Sequence, residues 1–396
     1  MDRESEYLFR LMGAYVRGEA PGDAHGVEPE KLKHLAYIHY AAGILGHMVM
    51  QYGLFPDHGA PFRQECMVTI LRFGQRAALA QAVFEALEEA GIDYLPMKGY
   101  VVKDYYPVPE LRTYGDIDLL IRPADREKCH RLMLDRDYGI KTDWEPVYSY
   151  IKPMEHYEFH TELLETDITE ELDCRAYFSD PWRHAVNRGG HRYEFSPEFH
   201  FMYLVAHLAK HVAASGAGAR MYLDLGAFIL HFGPDADWVR IRADLEKTGL
   251  AGFANTALTF VEKYMGVASP IDLEPVEEEV LEALASMTAH GGIFGKSDLD
   301  SGVNAMNSHR EGSRVRTVLR RLFPAAKTIR RRYTYLQKCP WLLPAAWVHR
   351  LFLTRKTWTD HAREARSIMD ADMEKVRRVR SLHGAIGLGK DRKSGK

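Results

Sequence analysis

Apolar residues recur at helical spacing through the first ninety or so positions of the chain. Between Gln64 and Ala90, Leu71, Ala78, Ala82, Phe84 and Leu87 stand among charged neighbours, which predicts an amphipathic helix stopped at Gly91. The pattern then shortens. Ile92 to Met97 reads as a strand, Val101 to Tyr106 as a short helix cut off by Pro107 and Pro109, and Asp116 to Ile121 as a second strand. Pro123-Ala124-Asp125 opens a helix running to about Asp135. From Val147 to Phe178 the period changes to two, predicting strands at Val147–Ile151, Tyr157–His160 and Leu172–Arg175. Ser196-Pro197-Glu198 supplies an N-cap and a first-turn proline. Helix follows to about residue 296, with breaks at Gly216–Gly218 and Gly233-Pro234. The final hundred or so residues are again helical, divided by Pro324, Pro340 and Pro344.

This order of elements predicts an α+β fold, with a small mixed sheet and helices on one face. The expected organisation is a helical N-terminal segment (1–90), a sheet-bearing core (91–190), a helical substrate-cleft domain (191–300) and a basic helical region (301–396). No internal repeat of fixed period is present.

The composition, 46% hydrophobic and 27% charged over 396 residues, is that of a globular protein. No apolar stretch approaches the roughly 20 residues of a membrane span, and MDRESEYLFR lacks the layout of a signal peptide. Cys66, Cys129, Cys174 and Cys339 show no CxxC spacing, which excludes a sequence-local zinc site and fits reduced thiols in a cytoplasmic protein. Charge is unevenly spread. From Ser301 onward 23 Lys and Arg face 7 Asp and Glu, while residues 1–300 hold 29 basic and 48 acidic groups. Residues 301–396 therefore either pack against the acidic body or contact a nucleic acid or other polyanion. Tyr333 to Phe352, rich in aromatic residues, Leu and Pro, is read as core packing or as a surface for a partner or a membrane interface, too short and broken to span a bilayer.

Asp116-Ile117-Asp118, set in the apolar run Leu119-Leu120-Ile121, is the richest chemical signal. A strand points residues i and i+2 to one face, and two carboxylates held that close need a cation between them. Oxygen ligands suit Mg²⁺ or Mn²⁺, so the pair points to metal-assisted phosphoryl or nucleotidyl transfer. Asp173 is the best-placed third carboxylate, with Glu171 in reserve. Lys98-Gly99 offers a point charge and a close backbone approach to a phosphate. Arg112 either helps hold a triphosphate or pairs locally with Glu110 or Asp116. His200, His207 and His211 share a helical face. They read as hydrogen-bonded core histidines, as cleft residues beside a nucleotide or acceptor, or as a metal site. Arg220 and Asp224 are further cleft candidates.

Lys98-Gly99, Tyr106-Pro107, Arg112 and Asp116-Ile117-Asp118 together resemble the uncharacterised nucleotidyltransferase family of the DNA polymerase β-like superfamily. The resemblance implies a small mixed sheet bearing catalytic carboxylates, followed by helices that shape a substrate cleft. It implies that Asp116, Asp118 and Asp173 ligate Mg²⁺ or Mn²⁺, with Asp173 also the base. Lys98, Gly99, Arg112, His207 and His211 would lie on the nucleotide side. A nucleoside triphosphate such as ATP would be the co-substrate, attacked in line by an acceptor such as a small molecule, a peptide, a protein or an RNA end. Two departures stand out: Tyr100 follows Gly99 where the superfamily often has Ser, and the gap from Gly99 to Asp116 is long. The alternatives are a catalytically inactive nucleotide- or partner-binding member of the family, or a nucleic-acid-binding protein using residues 301–396.

Overall fold

A seven-stranded mixed sheet organises the middle of the chain. The computed structural model describes residues 1–164, 167–169, 172, 174–291, 301–308, 313–352 and 358–389. The strands are β1 (Tyr94–Met97), β2 (Ile117–Ile121), β3 (Gly139–Trp144), β4 (Val147–Lys152), β5 (Glu155–His160), β6 (Ala185–Gly189) and β7 (Arg192–Phe195). Their order is β3-β4-β5-β2-β1-β7-β6. β2 runs antiparallel to β1 and parallel to β5.

All five residues of β2 are buried, because both faces of the sheet are covered. Tyr94, Ile117, Leu119 and Ile121 pack with Ala80, Val83, Phe84 and Leu87 of the long helix Gly59–Glu89, and with Cys129, Leu132 and Met133 of Arg126–Asp135. Leu95, Met97 and Leu120 point the other way, into a core built from helices Arg3–Arg17, Pro197–Ala214, Ala219–Phe232 and Ala251–Met265. This corrects the expectation of helices on one face only. A continuous apolar run such as Leu119-Leu120-Ile121, without alternation, belongs to a strand covered on both sides.

β3 and β6 escape the sequence reading because they are exposed along most of their length, so no apolar alternation marks them. The described residues of the strand expected at Leu172–Arg175 do not join the sheet: Leu172 makes an isolated bridge to Thr169, and Arg175 lies in a turn. Asp173 and Glu171 lie outside the described residues.

Helix Pro197–Ala214 starts as expected, with the Ser196 side chain accepting from Phe199 N–H. Helix Arg3–Arg17 packs tightly on Ala251–Met265, and a Cβ at Gly13 would overlap the Met265 carbonyl. Toward the C-terminus, Val303, Met306, Ile368 and Val376 form a separate small core. Its basic helices form ion pairs among themselves, such as Arg321–Glu364 and Arg378–Glu374, while Arg331–Glu162 (2.9 Å) crosses to the body. In the aromatic stretch Ala346 and Leu351 are buried, whereas Trp341, Val348 and Phe352 are exposed. No helix among the described residues is long and apolar enough to cross a membrane.

Candidate active site

Parallel pairing of β2 with β5 places Asp118 directly beside Glu158 and Leu120 beside His160. Side chains two apart share a face of a strand, so His156, Glu158 and His160 form a row alongside Asp118. Asp116 sits in the bend just before β2. Two overlapping donor groups result, Asp116–His156–Glu158 and Asp118–Glu158–His160, with ligand atoms in each within 4.8 Å of one another. Glu158 belongs to both.

Asp118 is buried, and its Oδ1 accepts from Lys98 Nζ at 2.6 Å and from His160 Nε2 at 2.8 Å. Among the described residues Oδ2 accepts nothing. Burial opposes the charge of Asp118, but Lys98 and His160 outweigh it and hold the carboxyl well below the usual range. Glu158 goes the other way. Burial, then the charges of Asp118 and Asp116, push it up to about 7. Burial and the Lys98 charge keep the His160 imidazole neutral. The array thus holds three clustered carboxyls, neutral imidazoles and one ammonium, and a cation would relieve its excess negative charge. Asp116 makes no hydrogen bond or ion pair among the described residues.

Lys98 reaches Asp118 from a backbone at φ 51°, a left-handed conformation that costs a side-chain-bearing residue about 1–3 kcal/mol. Across from it, helix Pro197–Ala214 forms the far wall of a cleft of about 460 Å³ lined by Lys98, Glu158, His160, Trp144, Tyr203, His207, Lys210 and His211. His207 and His211, one turn apart, share a hydrogen bond between their Nε2 atoms at 3.2 Å. Burial lowers both, His211 to about 4 and His207 well below its ordinary value, so the pair is uncharged. His200, two turns earlier, bonds Tyr105 in the core instead.

A model of the family described as uncharacterised nucleotidyltransferase matches residues 25–266. The chain belongs to that family. Among curated proteins and solved structures nothing matches. The matched span contains the whole β2–β5 array and the helices that wall the cleft.

Arg112, expected near a triphosphate or in a local pair, lies elsewhere. Its Nε and Nη2 bind Asp224 Oδ1 and Oδ2 at 3.1 and 2.6 Å, with Tyr106 Oη donating to the same Oδ1 at 2.7 Å. All three residues are buried. Arg220 Nη1 donates to Thr113 O at 2.6 Å, so helix Ala219–Phe232 grips the segment between Lys98 and Asp116 at two points. Arg220 and Asp224 are thus buried anchors, not cleft residues. Gly99 is required by the same packing: a Cβ there would overlap Arg112 Nη1 and lie 3.1 Å from Tyr114 Cβ. Its lack of a side chain admits Arg112.

The array residues that sequence reasoning passed over are His156, Glu158 and His160. Their signal was present, a His-Tyr-Glu-Phe-His alternation on a recognised strand.

Proposed function

We propose that this nucleotidyltransferase moves a nucleoside monophosphate from an NTP to an acceptor hydroxyl, using divalent cations held by the β2–β5 array. The observation that carries this reading is Glu158 shared between two donor groups on adjacent strands. The residues fit the ions: hard carboxylates with imidazole nitrogens, gathered within 4.8 Å. Asp116, His156 and Glu158 would hold one cation, and Asp118, Glu158 and His160 another. When bound, such ions supply positive charge to the phosphate oxygens and the departing pyrophosphate. The nitrogen donors shift the expected preference from Mg²⁺ toward Mn²⁺.

The chain's own groups do the rest. Lys98 fixes Asp118 through Oδ1, which would leave Oδ2 for a cation. The acceptor oxygen bonds to the α-phosphorus, the bond to pyrophosphate breaks, and the hydroxyl proton passes to Asp116. The cleft between β5 and helix Pro197–Ala214 offers Trp144 and Tyr203 to a base, and Lys98 to phosphate. Neutral His207 and His211 hydrogen-bond the nucleotide without adding charge.

The test is direct binding of Mn²⁺ and of a non-hydrolysable NTP analogue by calorimetry, followed by incubation with α-labelled NTPs. Wild type should bind both, and Asp118→Asn and Glu158→Gln should weaken Mn²⁺ at least tenfold, about 1.4 kcal/mol. Identical Mn²⁺ and analogue binding in wild type and both variants would sink the reading.

A further inference from the structure

A second cavity, of about 670 Å³, opens on the other flank of the array, between helix Gly59–Glu89 and the β4–β5 hairpin. Arg72, Gln75, Arg76 and Lys152 line it, and Gly115 and His156 form its inner end. Arg72 and Arg76 are one turn apart and so share a helix face. Arg76 is fixed by donating to the carbonyls of Tyr114 and Gly115 and by lying 4.4 Å over the Tyr114 ring. Its guanidinium therefore stands beside the bend that carries Asp116. Lys152 sits 4.5 Å over the Tyr138 ring. Arg72 is exposed and makes no hydrogen bond or ion pair among the described residues.

The one carboxylate in the lining, Glu155, already accepts from Tyr138 and Tyr157 hydroxyls. Three cations thus face the groove against one carboxylate that is already engaged, and Gly115, the neighbour of Asp116, is part of its lining. Guanidinium and ammonium groups clustered without matching acids suit a phosphate, which arginine can bind through two donors at once.

Position decides whose phosphate it is. The histidine cleft meets the array at Lys98, Glu158 and His160, while the groove meets it at His156 and Gly115. In-line transfer puts donor and acceptor on opposite sides of the reacting phosphorus. The cleft has the aromatic and apolar walls a base needs, including Trp144, Leu163 and Leu164, whereas the groove is open and cationic. We infer that the Arg72–Arg76–Lys152 groove is the acceptor subsite and that the acceptor is a phosphate-bearing alcohol. This rests on the nucleotidyl-transfer reading. The acceptor's hydroxyl reaches the array while its phosphate is held by the groove, and pyrophosphate departs on the cleft side.

The experiment titrates full-length protein with ribose 5-phosphate, and with ribose as the control lacking phosphate. Each titration is run with and without saturating Mn²⁺ and a non-hydrolysable NTP analogue. Ribose 5-phosphate should bind with the analogue in place, ribose should not, and the double variant R72Q/K152Q should weaken the phosphoester at least tenfold while changing analogue affinity less than twofold. Competition between the two ligands, with analogue affinity falling tenfold in the variant, would give the groove to the triphosphate and overturn the inference. So would absent binding, or equal binding by wild type and variant. Failure of the analogue to bind wild type would instead strike at the nucleotidyl-transfer reading, and the titration without it would still read the groove.

Discussion

Two ion pairs on buried carboxylates stand close together in this protein, and they differ in how completely the carboxylate is engaged. In Arg112–Asp224 both carboxylate oxygens are engaged, by two guanidinium nitrogens and the Tyr106 hydroxyl. In Lys98–Asp118 both donors fall on Oδ1, and Glu158 and Asp116 crowd in beside it. The first is electrostatically complete and the second is short of positive charge. Burial and pairing are common to both, so neither identifies a functional site. What separates Lys98–Asp118, and makes it the candidate, is its unused bonding capacity and an adjacent carboxyl pushed up to about 7.

The largest effect should come from breaking the complete pair. Asp224→Ala leaves Arg112 buried without a counter-charge, a situation worth about 3–5 kcal/mol. Urea unfolding should show that loss. Asp118→Asn should cost less than half as much, because removing the Asp118 charge lets Glu158 ionise and face Lys98 in its place. Equal losses would erase the distinction between the two pairs.

Glu158→Gln should move stability the other way. Because folding raises the Glu158 pKa, the favourable contribution of its protonated form is complete below about 4.5, its unfolded value. That contribution is lost as pH rises toward about 7. Wild type should therefore weaken relative to Glu158→Gln between pH 4.5 and 7, by on the order of 1–3 kcal/mol, with the gap constant above that window. Mn²⁺ competes with the same proton, so wild-type Mn²⁺ affinity should climb across the same range while that of Glu158→Gln stays weak and flat. A stability difference independent of pH would show that the carboxyl is not displaced from its ordinary range. Gly99→Ala probes the join between the two pairs. Overpacking against Arg112 should cost about 1–3 kcal/mol, and it should lower analogue affinity through Lys98 as well. A loss of stability with unaltered analogue binding would uncouple the anchor from the site.

The difference between the pairs also explains what could be read from the chain alone. Asp118 was legible because an acid in an apolar run marks a strand position whatever lies alongside, whereas Asp116, expected on the same strand, sits in the bend before it. The carboxyl that lies beside Asp118 was not legible. Glu158 becomes the neighbour of Asp118 only through parallel pairing of β2 with β5, after helix Arg126–Asp135 and the β3–β4 hairpin have intervened, and nothing local in Tyr157–His160 states that pairing. Asp173, expected as the third carboxylate from its place between Leu172 and Cys174, lies outside the described residues. The same limit applies to Arg112. Nearness in sequence favoured Glu110 or Asp116, whereas the partner that completes it lies 112 residues away. Short-range spacing reveals faces of elements, and charge partners are chosen by topology.

The smallest effect should come from a third kind of pair. Arg331 reaches Glu162 at 2.9 Å, and Arg332 lies 4.7 Å over Trp144. Both body residues line the histidine cleft. These contacts are substantially exposed, and an exposed pair contributes about 0–1 kcal/mol. Arg331→Gln/Arg332→Gln should therefore leave urea stability within about 1 kcal/mol of wild type. Its informative readout is the cleft: the two arginines hold Glu162 and Trp144 at the rim, so analogue affinity should fall a few-fold through faster dissociation. Unchanged dissociation would confine the basic C-terminal helices to packing, and a fall in stability matching Asp224→Ala would show that they carry part of the core.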